Sequence, residues 1–295
     1  MQNPEKILIA GCGDVGVRLA ARLKRRGIEV WGLRRHAPNE GHEGMHWLEG
    51  DLCAPDGLPK LPPGITRLAY LPGPGKRDPA IYRALFVDGL ARVLSALDPS
   101  ALRRTVFVSS TAVHGGHDGQ WIDETAEPAP QGFNGKILLE AERWLGRQEG
   151  SHVVLRLAGI YGPGRLQLVE RIRNGTASTP RNPAHWANRI HADDAAAALD
   201  HLLFLDEPEE CYLGCDDTPL PLHELHAYLA GLIGVAAPPE GPAPTGVGSK
   251  RLSNARLRAS GFVPSWPDSR EGYRALLGVT APAAGVKKQK NTATG

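Results

Sequence analysis

The chain has 295 residues, 41% hydrophobic and 22% charged, which excludes a disordered or fibrous protein and allows one large α/β domain or a domain with a smaller companion. Its formal net charge of +2 gives no electrostatic reason to expect nucleic acid or an acidic membrane as partner. No leading signal core is visible, no stretch approaches the about 20 apolar residues that span a bilayer, and Cys12, Cys53, Cys211 and Cys215 lack the second ligand pair of a metal site, so a cytoplasmic, metal-free protein with reduced thiols is expected.

Lys6-Ile-Leu-Ile-Ala10 is a short apolar run ending in a glycine loop, the pattern of a parallel strand buried on both faces. A helical pattern follows, with Val15, Leu19 and Leu23 on one face, Arg18, Arg22, Arg25 and Arg26 largely off it, and Gly27 as its stop signal. Residues 28–33 read as the second strand. Further strands are expected at 45–48, 67–71, 105–109 and 152–156, with helices at about 80–97 and 136–149. Such alternation predicts an α/β fold with a doubly wound parallel sheet.

The pattern changes near residue 162. Gly162-Pro-Gly164 and residues 176–183 are loop-like, and Ile190-His-Ala-Asp-Asp194 leads into an alanine-rich helix over about 193–205, with Asp193 or Asp194 as its expected N-cap. Short helices are expected at about 222–233, 253–260 and 269–277, with the Pro/Gly-rich 236–248 stretch among them.

Chemistry begins at Gly11-Cys12-Gly13-Asp14-Val15-Gly16. A G-x-G-x-x-G string is weak alone, but here it follows a strand and opens a helix. In that setting Gly11 makes the tight turn, Gly13 lets a pyrophosphate approach the backbone, and Gly16 lets the helix pack on the strand. The helix N-terminus, with the amides of Asp14 and Val15, offers donors and positive dipole to phosphates. A site for NAD needs a carboxylate at the end of the second strand, about 20 residues on. This chain has Leu33-Arg34-Arg35 there, so a 2′-phosphate is expected and NADP(H) is preferred over NAD. Asp51, in Gly50-Asp51-Leu52, reads equally as an acceptor for the adenine amino group, with Leu52 beside it, and as a turn residue.

Residues 106–115 (VFVSSTAVHG), 156–165 (RLAGIYGPGR) and 188–194 (NRIHADD), with the glycine motif, resemble the extended short-chain dehydrogenase/reductase superfamily, the NAD(P)-dependent epimerase/dehydratase group. The later strings KRLSNARLRASGF, starting at Lys250, and REGYRALL extend the likeness to about residue 277. The resemblance implies a Rossmann domain of about seven parallel strands over 1–162, with a helix at 190–206 returning to it. A small α+β substrate-side domain would be formed by 163–189 and 207–279, with 280–295 as a disordered tail. It also implies that the helices at about 80–97 and 136–149 can pair across a two-fold axis into a homodimer.

The same resemblance assigns Ser110 to the substrate's oxygen and Lys136 to the nicotinamide ribose. The family's acid/base tyrosine stands four residues before that lysine, and here the position is Gly132. The chain is therefore similar to the atypical, tyrosine-less bacterial members. Tyr161, His114 and His191 are the substitute acids to be weighed against plain structural roles. Asp123-Glu124 reads as a solvated loop. The expected function is an NADP(H)-dependent oxidoreductase acting on a carbonyl, alcohol or nucleotide-sugar-like small molecule. A nucleotide-sugar epimerase or dehydratase is one alternative, and a non-catalytic NADP(H)-binding redox sensor is the other.

Overall fold

A computed structural model of the chain describes residues 5–38, 44–244, 246 and 248–280, so the expected tail lies, from residue 281, outside the described residues. Its centre is a seven-stranded sheet of β1 (Lys6–Ala10), β2 (Glu29–Arg34), β3 (His46–Glu49), β4 (Arg67–Tyr70), β5 (Arg104–Ser110), β7 (His152–Leu157) and β11 (Cys211–Gly214). The order is β11-β7-β5-β4-β1-β2-β3 and every pairing is parallel. The strand order reverses between β1 and β4, the place where open α/β sheets leave a ligand crevice. Among the described residues, three two-stranded pairs lie outside the sheet: β6 (Trp121–Ile122) with β13 (Arg251–Leu252), β8 (Gly159–Tyr161) with β10 (Arg189–His191), and β9 (Trp186–Ala187) with β12 (Leu220–Pro221).

Helices cover both faces because alternate side chains of each strand point to opposite sides. Ile7, Ile9, Val30, Val106 and Val153 face one side, under α1 (Asp14–Arg25) and α6 (Ala192–Phe204). Leu8, Ala10, Leu33, Leu68 and Phe107 face the other, under α2 (Pro79–Arg83), α3 (Gly89–Ser95) and α4 (Phe133–Leu145). Each fully buried Leu or Ile stabilises by about 1.5–3 kcal/mol, which makes these two layers the main support of the fold. Buried Ala192, Ala195, Ala196 and Ala198 keep the α6 surface low against its neighbours, among them α1. Arg18 of α1 and Arg26 at its C-cap pair with Asp193 and Asp200 of α6 across that seam.

Several boundaries differ from the sequence reading. The 80–97 helix is interrupted by a π turn over Ala84–Asp88, where the Tyr70 hydroxyl donates to Leu85 O at 2.5 Å. The 136–149 helix runs instead over Phe133–Leu145, N-capped at Gly132. The N-cap of α6 is His191, whose Nδ1 accepts from Asp193 N at 3.2 Å. Asp194 is unable to cap because its carboxylate is taken by the amides of Ser265 and Trp266, at 2.8 and 2.9 Å. The boundary at 207 falls one strand early, since β11 pairs with β7 as an edge strand of the main sheet.

The remaining helices α5 (Gln167–Arg173), α7 (Leu222–Ile233), α8 (Ala255–Ala259) and α9 (Ser269–Leu276) include a separate apolar cluster, in which α5, α7 and α9 pack with Tyr161. Among the described residues, no helix is long and apolar enough to cross a membrane.

Candidate functional site

The glycine loop takes the shape its sequence predicts. Gly11 sits at φ +81°, and a Cβ there would stand 2.3 Å from Pro72 Cα, so the loops after β1 and β4 interlock without room for a side chain. A Cβ on Gly16 would lie 3.1 Å from Cys12 Sγ and Ile9 Cγ2, which reflects close helix-on-strand packing. A Cβ on Gly13 would meet nothing within 4 Å. Open space therefore lies directly over the N-terminus of α1. Val17 N, bonded to Gly13 O at 2.9 Å, is the first amide satisfied by the helix, so those of Asp14, Val15 and Gly16 remain as donors. The Asp14 carboxylate accepts from Arg18 Nε and Arg165 Nε, each at 2.9 Å. Burial works against its charge, but the bonds from Arg165 and Arg18 outweigh that and hold it below the usual carboxylate range.

Arg34 ends β2, half-buried, with its guanidinium 5.8 Å from the Trp47 ring centre. Arg35 is exposed and leans toward the loop after β4, 3.6 Å from where a Gly75 Cβ would be. Among the described residues no carboxylate pairs with either arginine. Both cations are therefore available to an anion, and the open cradle fits a dinucleotide phosphate. Asp51 forms a turn, with Oδ1 accepting from Cys53 N at 2.9 Å, and Leu52 is buried behind it.

Ser110 ends β5 and N-caps a 3-10 turn, its Oγ accepting from Ala112 N at 3.2 Å. It lines a cavity of about 250 Å³ with Arg77, Asn134, Lys250 and the backbone around Gly115, Ala158 and Gly248. A Cβ on Gly132 would point at Asn134 Oδ1, 2.6 Å away, and stand 4.0 Å from Arg77 Nη2. Position 132 thus faces this cavity, but glycine supplies no group to it.

The other expected catalytic residues are not brought there. Lys136 is exposed on α4 and lines a different hollow with Glu140 and Arg143 of that helix's solvent-facing stripe and Arg147 just beyond it. Tyr161 is fully buried, stacked on Tyr273 with ring centres 4.4 Å apart and edge-on to His191 at 5.1 Å. Its hydroxyl has no hydrogen-bond partner among the described residues, and burial pushes its pKa up. His191 is 2% exposed and capped onto α6; burial lowers its pKa against the pull of Asp193 and Asp194.

His114 is fully buried, with Nε2 3.1 Å from Arg156 Nη1. A guanidinium only donates, so that ring nitrogen must be the unprotonated one. Burial, then Arg156 and Lys250, push the imidazole down to about 3, and Arg156 is itself held by Glu142 at 2.7 Å. His114 is a neutral structural acceptor. Glu124 is not a solvated loop residue: its side chain is 2% exposed and accepts from Leu213 N at 2.7 Å, tying the loop to β11.

Sequence reasoning missed Lys250. It is 4% exposed, just ahead of β13, and its Nζ donates to Gly115 O at 2.8 Å and Gly248 O at 3.4 Å. The string beginning at Lys250 was visible but carried no assigned role. Asn188, inside the NRIHADD string, fixes this segment by donating to Lys250 O and accepting from Leu252 N, at 2.9 and 2.8 Å.

The family pattern described as the NAD dependent epimerase/dehydratase family matches residues 7–210. Protein YeeZ of Escherichia coli K12 is 27% identical over 247 residues, covering 79% of this chain and 86% of its own. A solved Methylobacillus flagellatus protein, assigned by name to the NAD-dependent epimerases/dehydratases, is 37% identical, covers 94% of this chain and 98% of its own, and superposes at a TM-score of 0.77. A Thermus thermophilus UDP-glucose 4-epimerase, solved with NAD, shares the fold at 22% identity and a TM-score of 0.78, with 92% and 98% covered.

Proposed function

Because the chain belongs to the NAD-dependent epimerase/dehydratase family, we propose that it is an NADP(H)-preferring oxidoreductase acting on a carbonyl or alcohol at the Ser110 cavity. The observation that carries this reading is the open N-terminus of α1 over Gly13, beside two arginines that no carboxylate neutralises among the described residues. The amides of Asp14, Val15 and Gly16 would hold the pyrophosphate, and Arg34 and Arg35 the 2′-phosphate.

The bound nicotinamide supplies hydride chemistry, and the protein supplies position and field. Ser110 Oγ already accepts from Ala112 N, so its hydrogen is free to be donated to a substrate oxygen. Its register partner Leu157 of β7 and the following Ala158 form an apolar wall that limits water around that oxygen. Gly132 contributes no proton, and Tyr161 and His191 lie in a different cluster, so proton exchange falls to a group of the cavity or to solvent.

The experiment is NADPH oxidation with a panel of aldehydes, ketones and quinones, comparing the native protein with Ser110→Ala. The reading expects turnover that Ser110→Ala lowers at least tenfold while NADPH affinity stays within about twofold. Tight NADPH binding without turnover on any carbonyl would reject the enzyme reading in favour of a cofactor sensor.

A further inference from the structure

The Ser110 cavity is built from two distant parts of the chain. The loop after β5 meets the segment before β13 so closely that a Cβ on Gly248 would stand 2.1 Å from Gly116 Cα. Ser249 O accepts from His117 N and Gly119 N at 2.9 and 3.1 Å, and Arg251 N donates to Gln120 O at 2.8 Å. This stitching leaves Lys250 4% exposed, facing the cavity, and sets its ammonium on two backbone carbonyls beside Ser110.

A buried ammonium ordinarily has a carboxylate partner, because an isolated charge loses its hydration on burial. Among the described residues Lys250 has none, and none of those that line the cavity is acidic. Among the described residues, the charged and titratable groups around Lys250 and its neighbour His114 are Arg77 across the cavity, His114 and His185 behind it and, toward His114, Arg156, His117 and Asp123. His114 is held neutral, and burial followed by Lys250 lowers the His185 pKa. The site is therefore cationic and without a counterion. Two of the three ammonium hydrogens reach carbonyl oxygens, and the third is unassigned.

Size narrows the occupant. An apolar cavity of roughly 150 Å³ holds a benzene ring, so about 250 Å³ takes on the order of ten non-hydrogen atoms.

We propose that this cavity binds a small carbonyl compound bearing a carboxylate or phosphate, with Lys250 and Arg77 as the groups that pair with its anion and Ser110 at its oxygen. This deepens the oxidoreductase reading and rests on it for the carbonyl, whereas the anion site stands on the cavity itself. An anion beside Lys250 would complete its hydrogen bonds and favour its charged form. Burial lowers the Lys250 pKa to about 8, so anion affinity should fall as pH rises through that value.

The test is titration calorimetry, with and without NADP+, using pyruvate, its uncharged methyl ester and inorganic phosphate as probes. The proteins are the native chain, Lys250→Met and Lys250→Arg, each checked for a native circular dichroism spectrum. The expected result is that pyruvate or phosphate binds the native protein at least tenfold more tightly than it binds Lys250→Met. Lys250→Arg should retain binding and lose the decline above pH 8. Binding of pyruvate alone would assign a carboxylate, and binding of phosphate alone a phosphoryl group. Failure of both anions to bind the native protein overturns the proposal, as does equal binding by Lys250→Met or by the methyl ester. Anion binding without NADPH binding would refute the oxidoreductase reading and leave the anion site intact.

Discussion

Gly11 and Pro72 stand so close that a single methyl group on the glycine would lie 2.3 Å from the proline Cα. Sixty-one residues apart in sequence, they join the loops at which the sheet reverses its strand order. The first prediction contrasts two glycines. Gly11→Ala should destabilise the protein by about 2 kcal/mol or more, because backbone must move and the φ is left-handed. Gly13→Val should unfold at nearly the native denaturant midpoint yet lose NADPH binding, because its side chain fills the open space over α1. Chemical denaturation and fluorescence titration measure the two effects. Native NADPH affinity in Gly13→Val would reduce the motif to a turn.

Tyr161 and His191 offer a second contrast. The buried Tyr161 hydroxyl has no partner among the described residues, so Tyr161→Phe should leave stability equal or raised by up to about 1 kcal/mol, with turnover within twofold. His191→Ala removes the α6 cap and should cost about 1 kcal/mol. A tenfold or larger loss of turnover in Tyr161→Phe would return the tyrosine to the list of catalytic acids.

Lys250 gives a stability signature that requires no substrate. Burial lowers its pKa to about 8 from the ordinary 10.5. Between those values the unfolded chain carries the proton and the folded chain does not. Its contribution to stability therefore rises with pH through that window, and below about 8 the burial cost is felt in full. Native stability measured against Lys250→Met should improve between pH 8 and 10.5, by up to about 3 kcal/mol. A difference between the two proteins that is flat over this range would show that the lysine is not desolvated.

Lys136 supplies a fourth prediction. It shares the exposed stripe of α4 with Glu140 and Arg143, with Arg147 just beyond the helix, so Lys136→Met should leave NADPH affinity within about twofold. A tenfold loss would mean that the side chain turns into the cofactor cleft.

Local pattern was enough for six of the seven sheet strands, β11 being the exception, and for the glycine loop and the helix faces. Ile7 and Ile9 against Leu8 and Ala10 encode a strand buried on both sides, and Val15, Leu19 and Leu23 encode the inner face of α1. What the sequence hid depends on residues far apart in the chain. Asp194 looks like a cap, but Ser265 and Trp266 claim its oxygens from 71 and 72 residues away. Tyr161 looks like an acid at a strand end, but Gly272 of α9 packs so tightly that a Cβ there would stand 2.1 Å from its hydroxyl oxygen. Lys250 becomes part of the Ser110 cavity through a contact made across 135 residues. No periodicity or local motif records such contacts.

The NADP(H) site proposed at α1 and β2 is tested by the dissociation constants of NADPH and NADH for the native protein and for the Arg34→Ser, Arg35→Ser double variant. One charge-assisted pair to the 2′-phosphate contributes about 1.5–3 kcal/mol. NADPH should therefore bind the native protein at least tenfold more tightly than NADH, and the double variant should lose that preference while keeping its NADH affinity. Equal affinities for the two cofactors in the native protein, or a preference that survives loss of both arginines, would rule out a 2′-phosphate site at Arg34 and Arg35.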